Sequence, residues 1–154
     1  MRRDRAADPL AVAAALTRYG RILEQLGLTP AAETALREAL ALGEKHGPET
    51  WATFHAKASL GGLLVGQNNF KAAEPLLLSG YEGMKWCAEK DSSQLNRSAS
   101  EAVDRWGRLN AAAERLVELF QATNRPAEAA KWRAELPSPA PQLAPQPRLV
   151  APTK

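Results

Sequence analysis

A chain of 154 residues, 45% hydrophobic and 24% charged, has the length and composition of one ordinary globular domain. Its formal charge of +3 sits at the ends: residues 1–9 hold three Arg against two Asp, and residues 137–154 hold Arg148 and Lys154 with no acid, whereas the 127 residues between carry fifteen basic and fifteen acidic side chains. Without clustered cations nucleic-acid binding is not expected; no apolar run approaches the roughly 20 residues of a membrane span; and one cysteine, Cys87, excludes an internal disulfide and suggests a reducing, cytoplasmic compartment.

The opening stretch MRRDRAADPLAVAAALTRYG sets basic residues ahead of the apolar run Leu10 to Leu16, superficially like a short signal peptide. Asp4, Asp8 and Pro9 separate the charges from the run, and the alanines continue into an amphipathic pattern through Arg18, Arg21 and Glu24. A helix of the mature chain is therefore expected. Asp8-Pro9 opens it with an N-cap acid and a first-turn proline, and Gly27 supplies the left-handed residue that ends it after about Gln25. Thr29-Pro30 repeats the cap-plus-proline signal for a second helix ending at His46-Gly47-Pro48. A third starts near Glu49 or Thr50 and reaches about Gly66. Gln67-Asn68-Asn69 turns the chain into a fourth, Phe70 to about Lys90, in which Pro75 should remove one hydrogen bond and bend the axis. After the polar Asp91-Ser92-Ser93-Gln94 comes a fifth helix, Ser98 to Thr123. Asn124-Arg125-Pro126 opens a sixth ending near Leu136. Period-two alternation is absent, so an all-α fold is expected. Six prolines in the last eighteen residues, without PxxP spacing, predict a disordered tail. The domain plan is thus a basic end over 1–9, a helical domain over 10–136 and a Pro-rich tail over 137–154.

An internal register runs through the helical part. Tyr19-Gly20, Leu60-Gly61 and Leu116-Val117 align, with Leu23, Leu64 and Phe120 following three positions after each pair. Ala32, Ala73 and Ala129 follow twelve after each second member, and Gly27, Asn68 and Asn124 fall in register. Four beyond the alanines stand Leu36, Leu77 and, as a mismatch, Arg133. This pattern resembles the tetratricopeptide repeat, whose form W-x2-L-G-x2-Y then A-x3-F marks antiparallel helix pairs with small residues at their contact. The resemblance covers Ala13 to Leu136 in three copies, over about 13–46, 54–87 and 110–136. Spacings of 41 and 56 residues exceed the basic 34, and the first interval, with ALREALALGEKHGPETW, looks like the longer repeats of kinesin light chain-like arrays. It implies stacked helix pairs in a right-handed superhelix, with Gly20, Ala32, Gly61, Ala73 and Ala129 as packing positions, Gly62 on the exposed side and Gly66 at a helix end. A narrower likeness also exists. TWATFHAKASLGGLLVGQNNFKAAEPLLLSGYEGMK and RLVELFQATNRPAEAAKWRAEL look like the repeat tail of bacterial, planctomycete-type serine/threonine kinases, over about Ala31 to Leu136.

Catalytic chemistry is not expected. Kinase phosphate loop, catalytic loop and DFG are missing from the sequence. His46 and His55 lie nine apart across a helix break without ligand spacing and read as cap or surface histidines, so no metal or cofactor is expected. Cys87 has no histidine at helical spacing and reads as a packed or half-exposed thiol, and Glu114 and Glu118 beside Arg115 as a solvated face. Trp51 and Trp132 are expected over the ends of the stack, with Trp86 and Trp106 flanking the loosest connection.

What the resemblance leaves is a surface: in such arrays the first helix of each pair lines a groove. The corresponding positions are Thr17, Arg18, Arg21, Glu24 and Gln25; His55, Ala58, Ser59, Gly62 and Val65; and Ala111, Glu114, Arg115, Glu118 and Gln121. Of the positions used by repeats that clamp chaperone carboxylate tails, here Thr17, Arg21, Ser59, Ala111 and Arg115, only Arg115 matches, so that partner class is not expected. The expected function is a non-catalytic scaffold binding a protein or peptide in a kinase-signalling setting. The alternative is a module that packs on its own copies or on a kinase catalytic domain.

Overall fold

The computed structural model describes residues 8–92 and 99–136; both expected end segments, apart from Asp8 and Pro9, lie outside them. Among the described residues there are six α-helices and no strand: α1 (Pro9–Gln25), α2 (Thr29–His46), α3 (Trp51–Gly66), α4 (Phe70–Ser92), α5 (Ala99–Ala122) and α6 (Pro126–Glu135). Consecutive helices pack as the pairs α1·α2, α3·α4 and α5·α6, and α3 also contacts α1, α2 and α5.

Local chemistry accounts for most boundaries. The Asp8 carboxylate accepts from the Leu10 N–H at 3.1 Å, and Pro9 occupies the first turn, where its missing N–H costs nothing. Thr50 caps α3, and its hydroxyl and that of Thr53 both donate to the Gly47 carbonyl, at 2.8 and 2.6 Å, pinning the α2–α3 connection. The α2 signal resolves differently from expectation: Leu28 is the N-cap, with no side-chain cap bond, and Thr29 is already helical. Its hydroxyl therefore has no free N–H of a following turn to accept from in the cap geometry. Pro75 lies inside α4, which continues as one helix to Ser92.

Each pair turns on the same device. Gly27, Asn68 and Asn124 have φ of +74°, +59° and +57°, the only left-handed residues among those described. In each turn that residue's N–H returns to the carbonyl three positions back, and the next N–H to the carbonyl five back: Leu28 to Leu23, Asn69 to Leu64 and Arg125 to Phe120, at 2.8–2.9 Å. This is the Schellman termination, which satisfies the last carbonyls of a helix while reversing the chain. The three turns stand 41 and 56 residues apart, the spacing of the register in the sequence.

Small residues set the closeness within the first two pairs. A Cβ on Gly20 would stand 2.7 Å from Leu36 Cγ and 3.3 Å from the Ala32 carbonyl; one on Gly61 would stand 2.8 Å from Leu77 Cγ and 3.2 Å from the Ala73 carbonyl. The same contact thus occurs twice. Further along α3·α4, Gly80 lies against the backbone of Ala58 and Phe54, and Gly83 against the Phe54 ring. Contact partners that rise in number along one helix and fall along the other make the pair antiparallel. In the third pair Val117 replaces glycine over a buried Ala129, opposite Arg133 rather than leucine. The core runs through all three pairs, from Leu23 and Leu36 through Leu60, Leu64 and Leu77 to Leu116, Leu119 and Phe120. Trp132 meets Tyr81 edge-to-face at 4.9 Å, joining α6 to α4.

Candidate functional site

The first helices of the pairs, α1, α3 and α5, line a cleft of two adjoining basins of about 340 and 240 Å³ that share His55 and Arg108. Helical spacing aligns Arg18, Arg21 and Gln25 on α1, and Arg108, Ala111 and Arg115 on α5, because residues three and four apart share a face. Between them α3 supplies a floor of small groups, Ala58, Ser59 and Gly62.

His55 is the least ordinary group there. Only 7% exposed, it presents Nε2 at 3.0 Å from Arg108 Nη1, and Arg108 in turn forms a two-point ion pair with Asp104 at 2.8 and 3.1 Å. Burial, then the charges of Arg108 and Arg21, and more weakly Arg18, push its pKa down to about 3; Asp104 opposes them. The ring is therefore neutral at physiological pH. With Nε2 accepting from Arg108, the proton resides on Nδ1. Among the described residues no acceptor faces that N–H.

Arg115 closes the other end. It donates to Glu24 across the cleft at 3.1 Å and to Glu118 on its own helix at 3.0 Å, while its stem lies over Gly62, where a Cβ would come 3.4 Å from Arg115 Cγ. Arg18 and Arg21 have neither an ion pair nor a hydrogen bond among the described residues. On one side, then, the cleft has arginines already neutralised, and on the other two that are not.

Arg18, Arg21, Glu24, His55, Ser59 and Arg115 all stand at the cleft. Glu118 reaches it only through Arg115, and Glu114 is outside the lining, exposed and bonded to Asn110 at 2.8 Å. Several expectations are corrected. His55 is not a surface histidine: α5 covers it. Gly62 is not exposed: Arg115 lies on it. Thr17 is fully buried with its hydroxyl donating to the Ala13 carbonyl at 2.9 Å, and Val65 belongs to the core, so neither faces the groove. Trp51 does not cap an end of the stack but lines the smaller basin under the Arg105 guanidinium, 4.5 Å from its ring centre. Arg108 was missed because the repeat-based register places the third groove strip from Ala111 onward, whereas α5 begins at Ala99 and extends the wall by further turns. Stepping three residues back from Ala111 on the same face would have found it. Cys87 is buried, with Sγ 4.0 Å from the Glu49 carbonyl oxygen. Among the described residues no cluster of three His, Cys, Asp or Glu could hold a metal, and no helix is long and apolar enough to cross a membrane. Comparison of the chain with protein-family models, with curated proteins and with solved structures gives no match.

Proposed function

We propose that the chain is a non-catalytic scaffold of the tetratricopeptide type, its three helix pairs continuing as a right-handed superhelix, and that it binds an acidic segment of a partner protein in the cleft between α1, α3 and α5. The observation that carries this reading is the pair of unneutralised cations, Arg18 and Arg21, beside the outward N–H of His55 and above a floor of alanine, serine and glycine. Donors and cations there have no acceptors of their own, and small side chains leave room for a peptide backbone. A carboxylate would complete both, since charge-assisted bonds to arginine are the stronger class. The likeness to kinase repeat tails makes a bacterial kinase-signalling partner the proposed setting.

Anisotropy of a fluorescein-labelled Glu/Asp-rich peptide tests it, with a Gln/Asn-rich peptide of equal length as control. The acidic peptide should bind saturably, more weakly as salt rises, and the control should not. Arg21→Glu should weaken binding at least about tenfold, about 1.4 kcal/mol. Arg115 is the poorer target, because reversing its charge strands Glu24 and Glu118 as well. Equal binding by the Arg21→Glu chain, or no saturable binding by acidic peptides, sinks the proposal.

A further inference from the structure

A separate face of α1 carries the largest exposed apolar patch among the described residues. Tyr19, Ile22 and Leu26 are 55%, 53% and 68% exposed, with Ala15 exposed one turn earlier and Leu28 at 51% just beyond. Spacings of four, three and four residues put Ala15, Tyr19, Ile22 and Leu26 on one stripe, about a quarter turn from the groove strip of Arg18, Arg21 and Gln25.

The register set by the three turns shows what such a stripe is for. Moving by 41 residues carries Ala15, Tyr19 and Ile22 onto Ala56, Leu60 and Leu63; moving by a further 56 gives Ala112, Leu116 and Leu119. All six counterparts are at most 4% exposed. Both α3 and α5 have a preceding helix pair packed against them, whereas α1 contacts only α2 and α3. The stripe on α1 is therefore an inter-pair contact surface without its cover, continuous in kind with the two interfaces already inside the molecule.

We infer that a second copy of this chain provides the cover, through two-fold pairing of α1 with α1. A head-to-tail arrangement would need the outer flank of α5·α6 to act as cover. There α6 has 10 residues where α2 has 18, and the only exposed large apolar side chains among the described residues are four on and just after α1 plus Trp86 of α4. The stripe, in contrast, is self-complementary. An axis between Gly20 and Arg21 in an antiparallel pairing sets Ala15 opposite the partner's Leu26 and Tyr19 opposite the partner's Ile22, small against large. Spacing of 4-3-4 is the pattern that seams two helices together. Such an interface is isologous and closes at two copies.

Sedimentation equilibrium over a broad concentration range reads the outcome directly. The parent should rise to twice its 16.6 kDa mass and no further. Tyr19→Glu with Ile22→Glu should remain at 16.6 kDa with unchanged helical circular dichroism, because both positions are exposed in the single chain. Oxidative cross-linking gives an arm that does not depend on that variant. Ala15→Cys mixed with Leu26→Cys should yield covalent dimers that neither yields alone, the parent serving as control for Cys87. A monomeric parent, growth beyond two copies, a dimer indifferent to the double variant, or Ala15→Cys linking to itself would each overturn the inference. The peptide-binding proposal is unaffected by any of them.

Discussion

At the scale of single residues, His55 shows how burial and charge together select a protonation state. In the unfolded chain an imidazole titrates near 6.5; here the folded value is about 3. Between those values the unfolded chain binds more protons, so stability rises with pH across the interval. The contribution is fully present above pH 6.5 and is lost as pH falls toward 3, reaching about 3 kcal/mol at pH 4. Glu33, whose pKa is lowered by Gln67 and then Arg37, acts in the same direction but only below its ordinary 4.5. Chemical denaturation at pH 6.5, 5.5 and 4.5 should thus give a falling series for the parent and a much flatter one for His55→Gln. A variant that loses stability as steeply as the parent would show that His55 is not the group responsible. Little of this was legible beforehand, because a histidine on a helix face carries no mark of the arginine that a distant helix lays over it.

For the individual helices, the glycines of α3 separate two kinds of cost. Gly61 and Gly66 both forgo about 1 kcal/mol of helix propensity relative to alanine. At Gly61 that loss is offset by contact: Leu77 and the Ala73 carbonyl occupy the space a side chain would take. At Gly66 nothing lies within 4 Å. Gly61→Leu should accordingly cost at least about 3 kcal/mol through forced separation of α3 and α4, while Gly66→Ala should add about 0.5–1 kcal/mol. Thermal denaturation with both variants checks the sign; a Gly61→Leu chain melting with its parent would remove the close-packing account. The helices themselves were legible almost to the residue, since caps, prolines and left-handed turn residues are local signals. Gly80 and Gly83 were not, because their reason for being small is Phe54 on another helix.

Across the whole molecule, cohesion is graded. Ten of the 16 residues of α3 are buried, against Ala129 alone in α6. Local opening free energies follow buried apolar contact, so native-state amide exchange should protect α3 most and α6 least. Equal protection of the two would contradict that gradient. Ion pairs stitch the outer elements onto this centre: Arg125, at the start of α6, binds Glu74 of α4 at 2.8 and 2.9 Å and lies over the Phe120 ring, and Arg115 ties α5 to α1 through Glu24. These pairs are part-exposed and contribute little individually; their role is to hold the walls of the cleft in place.

The sequence by itself determined where the chain is helical and where it reverses, because Asp8, Thr50, Gly27, Asn68 and Asn124 act on their own backbone neighbours. It also determined that Gly20 and Gly61 meet alanines twelve residues on, since one turn and two helices bring those positions together at short range. Only the tertiary structure decided which faces are covered. Thr17, Val65 and Gly62 went inward, Tyr19, Ile22 and Leu26 stayed outward, and Arg108 arrived at His55. Each outcome depends on helices 40 or more residues away, or on a helix pair that is not there, and a helical periodicity cannot distinguish an apolar stripe with a neighbour from one without.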